Sequence, residues 1–116
     1  MRSFSQADFD LFARLSGDDN PIHTDPEFSA RTHFGRTVAH GLLLCSVLRG
    51  LVDQLLPGST VKEQSVIFPA PTFTNEPMRF SAKITQAESA LTELTLEVTR
   101  ISDGEVTCQG RCGVAR

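Results

Sequence analysis

Only three cysteines occur in the chain, Cys45, Cys108 and Cys112, and no C-x-x-C pair is among them. An odd, scattered set of thiols argues against a disulfide framework and fits a reducing compartment, with the cytoplasm as the expected setting. Basic charge is also scarce. Eleven Lys and Arg stand against 14 Asp and Glu, a formal net charge of -3, so no basic stripe with interleaved aromatics is available for nucleic acid, which is set aside as a partner. Long apolar runs are missing as well. The most apolar stretch, GLLLCSVLRGLVDQLL, is broken by Arg49 and Asp53, and MRSFSQADF at the start lacks an apolar core of signal-peptide length, so neither a membrane span nor an export signal is expected. No G-x-S-x-G elbow, glycine-rich phosphate loop or dinucleotide fingerprint is present, which removes serine hydrolases, P-loop enzymes and Rossmann oxidoreductases as leading readings.

What is present reads as one domain over residues 1–116, a size at which much apolar surface stays uncovered and self-association is common. Helix signals come first. Ser5 and Asp8 have capping-box spacing and Phe4 and Phe9 that of a hydrophobic staple, predicting a helix from Gln6 to about Leu15 that stops at Gly17. Asp25 before Pro26 reads as the cap of a second, short helix to about Arg31. A third helix, roughly Gly41 to Leu56, is apolar almost all round in its first half, through Leu42, Leu43, Leu44, Cys45, Val47 and Leu48. Such a helix must be covered by other parts of the protein.

From Lys62 the hydrophobic period changes to two. SVIFPAPTF, with Pro69 and Pro71, is expected as an edge or bulged strand. Met78 to Ile84, Leu94 to Val98 and Val106 to Val114 each alternate, with Ser102–Gly104 as a hairpin turn and QAESA as the link before Leu94. Helices followed by a run of strands read as α+β, an antiparallel sheet curved around the helix from Gly41. Cys108 and Cys112 fall on one strand face about four rises apart, roughly 13 Å, too far to share a bond or a metal.

Between the first two helices lies SGDDNPIHTD. Short polar side chains around Pro21 suit a turn, and capping accounts for Asp19, Thr24 and Asp25. Asp18 and His23 are a carboxylate and an imidazole on one braced loop, a pair able to share a proton-transfer task on one water, although a structural hydrogen bond is the commoner explanation of such a pair. At the start of the third helix, AHG puts Gly41 where a backbone N–H, backed by the helix dipole, meets a carbonyl oxygen that gains negative charge. Close packing is the other account of that glycine. His33 and His40 complete the histidines. No H-E-x-x-H or Cys/His spacing accompanies them, so no metal is expected.

FARLSGDDNPIHTDPEFSA followed by THFGRTVAHGLLL resembles, without a gap, the signature SGDxNPxHxD…F…FGxxxAHG of the MaoC-like, (R)-specific enoyl-CoA hydratases and dehydratases. The resemblance implies a hot-dog fold, a long central helix wrapped by an antiparallel sheet, paired as a homodimer or higher homo-oligomer. It implies an acyl-CoA or acyl-carrier-protein thioester as substrate, with Asp18 and His23 activating water, Asn20 orienting them and Gly41 N–H holding the thioester carbonyl. The reaction so implied is reversible hydration of a trans-2-enoyl-CoA to the (3R)-3-hydroxyacyl thioester. A thioesterase or a non-catalytic acyl-CoA-binding subunit on the same fold are the alternatives. Two departures stand out. The chain starts almost at its first helix where the family has an extra strand, so the sheet is expected one strand short or more dependent on a partner. Arg49 stands where the family often has a small hydroxyl residue. Candidate ligands for nucleotide phosphates are Arg31, Arg36, Lys62, Arg79 and Lys83, and the acyl pocket is expected to be shaped by Leu43, Val47, Phe68 and Phe73.

Overall fold

A computed structural model describes residues 1–86 and 91–115. The first helix, α1 (Gln6–Ser16), starts on the expected reciprocal cap: Ser5 accepts from the Asp8 amide and Asp8 from the Ser5 amide. The rings of Phe4 and Phe9 sit 6.4 Å apart as the staple. Gly17 closes the helix at φ 81°, a left-handed cap that a side chain would strain. The crowded turn is itself helical, a single turn α2 (Pro21–Thr24) capped by Asn20, and α3 (Pro26–Ala30) follows at once under its Asp25 cap. Proline at the first position of each supplies a preset φ where no N–H is needed.

The long helix α4 (Gly41–Leu55) precedes four strands, β1 (Thr60–Ile67), β2 (Met78–Gln86), β3 (Thr92–Arg100) and β4 (Val106–Ala115). They form one antiparallel sheet in the order β1-β4-β3-β2. The hairpin at Ser102–Gly104 forms as expected, with Gly104 at φ 74°, whereas most of the QAESA link lies outside the described residues. Pro69 and Pro71 do not belong to a strand. β1 ends at Ile67, because two amides missing within three residues cannot continue a ladder, and the segment instead runs as a loop held by Ala39 N–H on Thr72 O (2.8 Å).

The core joins Leu44, Leu48 and Val52 of α4 to Met78, Leu94, Leu96, Val98, Cys108, Cys112 and Val114 of the sheet. The helix on the sheet is the hot-dog arrangement. Within one chain the sheet covers only that stripe of α4: Leu42 is 69% exposed and Leu55 46%. Cys108 and Cys112 are buried free thiols, and burial pushes the Cys108 thiol up to about 11. Before α1, among the described residues, a single bridge, Arg2 to Met78, continues the sheet beyond β2. Among the described residues, no helix is long and apolar enough to cross a membrane.

Candidate active site

The site is assembled by three segments that local sequence fixes and long-range hydrogen bonds lock together. α2 carries His23, and its neighbour is the extended run leading into α4. Val38 N–H donates to Ile22 O (3.0 Å), while Val38 O accepts from His23 Nδ1 (2.7 Å). Gln6 of α1 ties both. Its amide donates to His23 O (2.8 Å) and its carbonyl accepts from Thr37 Oγ1 (2.7 Å).

That anchoring fixes the imidazole. A backbone carbonyl only accepts, so Nδ1 carries the hydrogen and Nε2 of the neutral ring presents a lone pair. Nε2 lies 3.9 Å from Asp18 Oδ2, with the His23 side chain 10% exposed and that of Asp18 57%. Two acceptors at that spacing cannot bond to one another. They can share a donor, since an oxygen about 2.8 Å from each closes a triangle on the 3.9 Å edge.

Asp18 is held by its own backbone. Its N–H donates to Ser16 Oγ (3.1 Å), and its carbonyl oxygen accepts from His40 Nε2 (2.9 Å). His40, which the sequence reading left without a role, is thus a central member of the cluster. Its ring stacks on that of His23 with centroids 3.8 Å apart and planes 23° apart, and Phe12 packs on it at 4.8 Å. His40 Nδ1 is buried with no hydrogen-bond partner, and burial, aided by the neighbouring His23, pushes the group below its ordinary 6.5 despite the bond it donates to Asp18 O. The signal for His40 was its place beside Gly41 in AHG.

Asn20 works through the backbone. Its side chain accepts from Ile22 N–H (3.1 Å) as the α2 cap, and it does not line the cavity. Gly41 opens α4, where first-turn N–H groups have no intrahelical acceptor. The close-packing account of this glycine is met, because a Cβ there would sit 2.7 Å from the Phe68 ring.

These groups open on a cavity of about 840 Å³ whose wall includes Phe12, Ile22, Phe34, Leu44, Phe68 and Phe73. Phe68 and Phe73 shape it as expected. Leu43 and Val47 do not, since they lie on another side of α4 near Arg2. Cys45 is half-buried on the cavity wall. Of the basic candidates, Arg36 reaches the site's rim, where its guanidinium lies 5.3 Å from the Phe73 ring and 3.8 Å from Glu76. Arg49 pairs with Asp53 one turn on (3.5 Å) at the surface.

Potential ligand atoms of Asp18, His23 and His40 fall within 4.8 Å of one another. A metal nevertheless fits them poorly. A bound ion lies in the plane of each ligating imidazole at about 2 Å, and two rings stacked 3.8 Å apart with planes 23° apart share no such point.

Comparison with known proteins agrees with this architecture. An (R)-specific enoyl-CoA hydratase of Aeromonas caviae is 41% identical over 86 residues, covering 72% of this chain and 64% of that protein. A 3-hydroxybutyryl-CoA dehydratase of Methylorubrum extorquens is 38% identical over 72 residues, 60% of this chain and 46% of that one. The chain therefore spans less than two thirds of the length of these relatives. The solved structure of the (R)-hydratase from A. caviae superposes with a TM-score of 0.86 at 33% identity, covering 98% of this chain and 89% of that one. Residues 1–106 match the model of the MaoC-like domain, and the chain belongs to that family.

Proposed function

We propose that the protein is a hydro-lyase that reversibly adds water to trans-2-enoyl thioesters, giving (3R)-3-hydroxyacyl thioesters, and that it works as one domain in the cytoplasm without metal or cofactor. The observation that carries this reading is the Nε2 to Oδ2 spacing of 3.9 Å between two acceptors. Water held there donates one hydrogen to each, so its own lone pair is aimed outward at an electrophilic carbon. Conjugation makes C3 of an enoyl thioester such a carbon. As the C3–O bond forms, the electrons of the double bond move toward the thioester carbonyl, where Gly41 N–H receives the developing charge. The proton taken from water by the Asp18/His23 pair is returned to C2, which balances the addition of one water. Dehydration is the same path reversed. Asn20 serves by fixing α2, and His40 by fixing the Asp18 carbonyl. The handle is coenzyme A or acyl carrier protein, and the names of the relatives, an enoyl-CoA hydratase and a mitochondrial acyl-carrier-protein dehydratase of Arabidopsis thaliana, support either one. The working unit is a homodimer or higher homo-oligomer.

Asp18→Asn and His23→Ala should keep the fold, read by circular dichroism and thermal midpoint, while hydration of crotonyl-CoA falls by about 100-fold or more in each. Loss of the absorbance of the conjugated double bond measures the rate. Wild-type rates in both variants, or release of free thiol in place of hydration, would overturn the assignment.

A further inference from the structure

Away from Asp18, His23 and His40 the cavity wall is mostly apolar, its polar members being Ser16, His33 and a pair of threonines. Thr72 and Thr107 both line it, and both are almost completely buried, at 3% and 0% exposure. The Thr72 hydroxyl donates to that of Thr107 at 2.8 Å. Two hydroxyls carry two hydrogens and this bond uses one. Among the described residues, the Thr107 hydrogen has no protein acceptor.

The placement of Thr107 is a product of the fold. Val98 pairs with Cys108 and Thr99 with Val106, so Thr107 is the extra residue of a β-bulge. A bulge breaks the alternation of faces, and Thr107 and Cys108 are consecutively buried as a result. Thr72 is fixed as firmly. Its carbonyl accepts from Ala39 N–H (2.8 Å), and Arg100 holds the preceding Pro71 carbonyl (2.8 Å). The pair is therefore braced beside the AHG segment that carries Gly41. Valine has nearly the shape of threonine and would line an apolar acyl pocket without leaving a buried donor unsatisfied. Two adjacent threonines in such a wall serve a ligand that supplies an acceptor.

We propose that Thr72 and Thr107 form a specificity site for enoyl thioesters whose acyl chain carries an uncharged acceptor oxygen, such as a ketone, beyond the double bond. This rests on the hydratase reading for its substrate class. A charged carboxylate is disfavoured, because among the described residues no Lys or Arg lines the cavity.

The test is calorimetric titration of the protein with trans-2-octenoyl-CoA and its 5-, 6- and 7-oxo analogues, alongside hydration rates for the same thioesters. One oxo position should bind about tenfold tighter than the plain chain. Thr72→Val and Thr107→Val should each bring that ratio close to one, while Thr72→Ser and Thr107→Ser, which keep the hydroxyl, retain it. Circular dichroism establishes that each variant is folded, and the serine forms carry the comparison if a valine form is not. Equal binding of all four thioesters by the wild type, or an unchanged ratio in both valine variants, overturns the proposal. Because binding is measured apart from turnover, absence of hydration would count against the hydratase reading alone.

Discussion

At the scale of single residues, the site depends on which nitrogen of each histidine carries hydrogen. His23 gives its Nδ1 hydrogen to Val38 O and keeps Nε2 open, whereas His40 gives its Nε2 hydrogen to Asp18 O and keeps Nδ1 buried and unpartnered. Protonating His40 would place a charge in a nearly dry position against the stacked His23 ring, with the Asp18 carboxylate as the compensating group. The folded protein therefore binds this proton less readily than the unfolded chain. Its contribution to stability is present above the ordinary 6.5 and is lost as pH falls below it through the lowered folded value. His40→Phe keeps the stack with Phe12 and removes the titration. Thermal midpoints of the wild type should drop between about pH 7 and pH 5 more steeply than those of His40→Phe, and equal slopes would refute the role. At about pH 7.5 the variant should be less stable by about 1 kcal/mol, the usual worth of the lost bond to Asp18 O.

At the scale of elements, the start of α4 has two duties that one substitution separates. Alanine at Gly41 is compatible with a helix and favours it locally. Its Cβ would meet the Phe68 ring at 2.7 Å, but that ring is 46% exposed and can swing away. Stability should change by less than about 1 kcal/mol, while hydration falls by about tenfold or more, because the displaced ring and the new methyl both crowd the N–H that meets the carbonyl. Denaturant titration and kcat measure the two effects, and a fully active variant would place the oxyanion site elsewhere. The elements whose signals are local were legible in sequence: the Ser5/Asp8 cap, the Gly17 stop, the Asp25 cap before Pro26, and the alternation of β2, β3 and β4. What was not legible depends on pairing across the chain. The helical turn at Pro21–Thr24 looked like a loop because four residues carry no period. The bulge at Thr107 is visible only once Val98 and Thr99 have partners. The same holds for the site: the motif named Asp18, His23 and Gly41, but the stack of His40 on His23 and the inward turn of Thr107 arise from tertiary contacts.

At the scale of the whole molecule, one chain leaves its own architecture unfinished along the side where β1 lies. Among the described residues, β1 is an edge strand paired with β4 alone, and most of its residues are exposed. An open edge offers unpaired backbone groups to another strand. Its last residue, Ile67, is 56% exposed, Phe68 next to it is 46% exposed, and Leu42, at the first turn of α4, is 69% exposed. Phe68 also covers Gly41 and lines the cavity with Leu42, so whatever covers this edge also closes one wall of the site. A second copy pairing through β1 would extend the sheet and cover the apolar part of α4 that one sheet leaves bare. Sedimentation equilibrium should give twice the mass of the chain at micromolar concentration. Ile67→Lys places a charge on the edge and removes one apolar contact worth about 1.5 kcal/mol or more, so its dimer constant should weaken by at least about tenfold. Specific activity should then depend on protein concentration in the variant and not in the wild type. A wild type that sediments as one chain at high concentration, or a variant that stays paired, would move the interface away from β1.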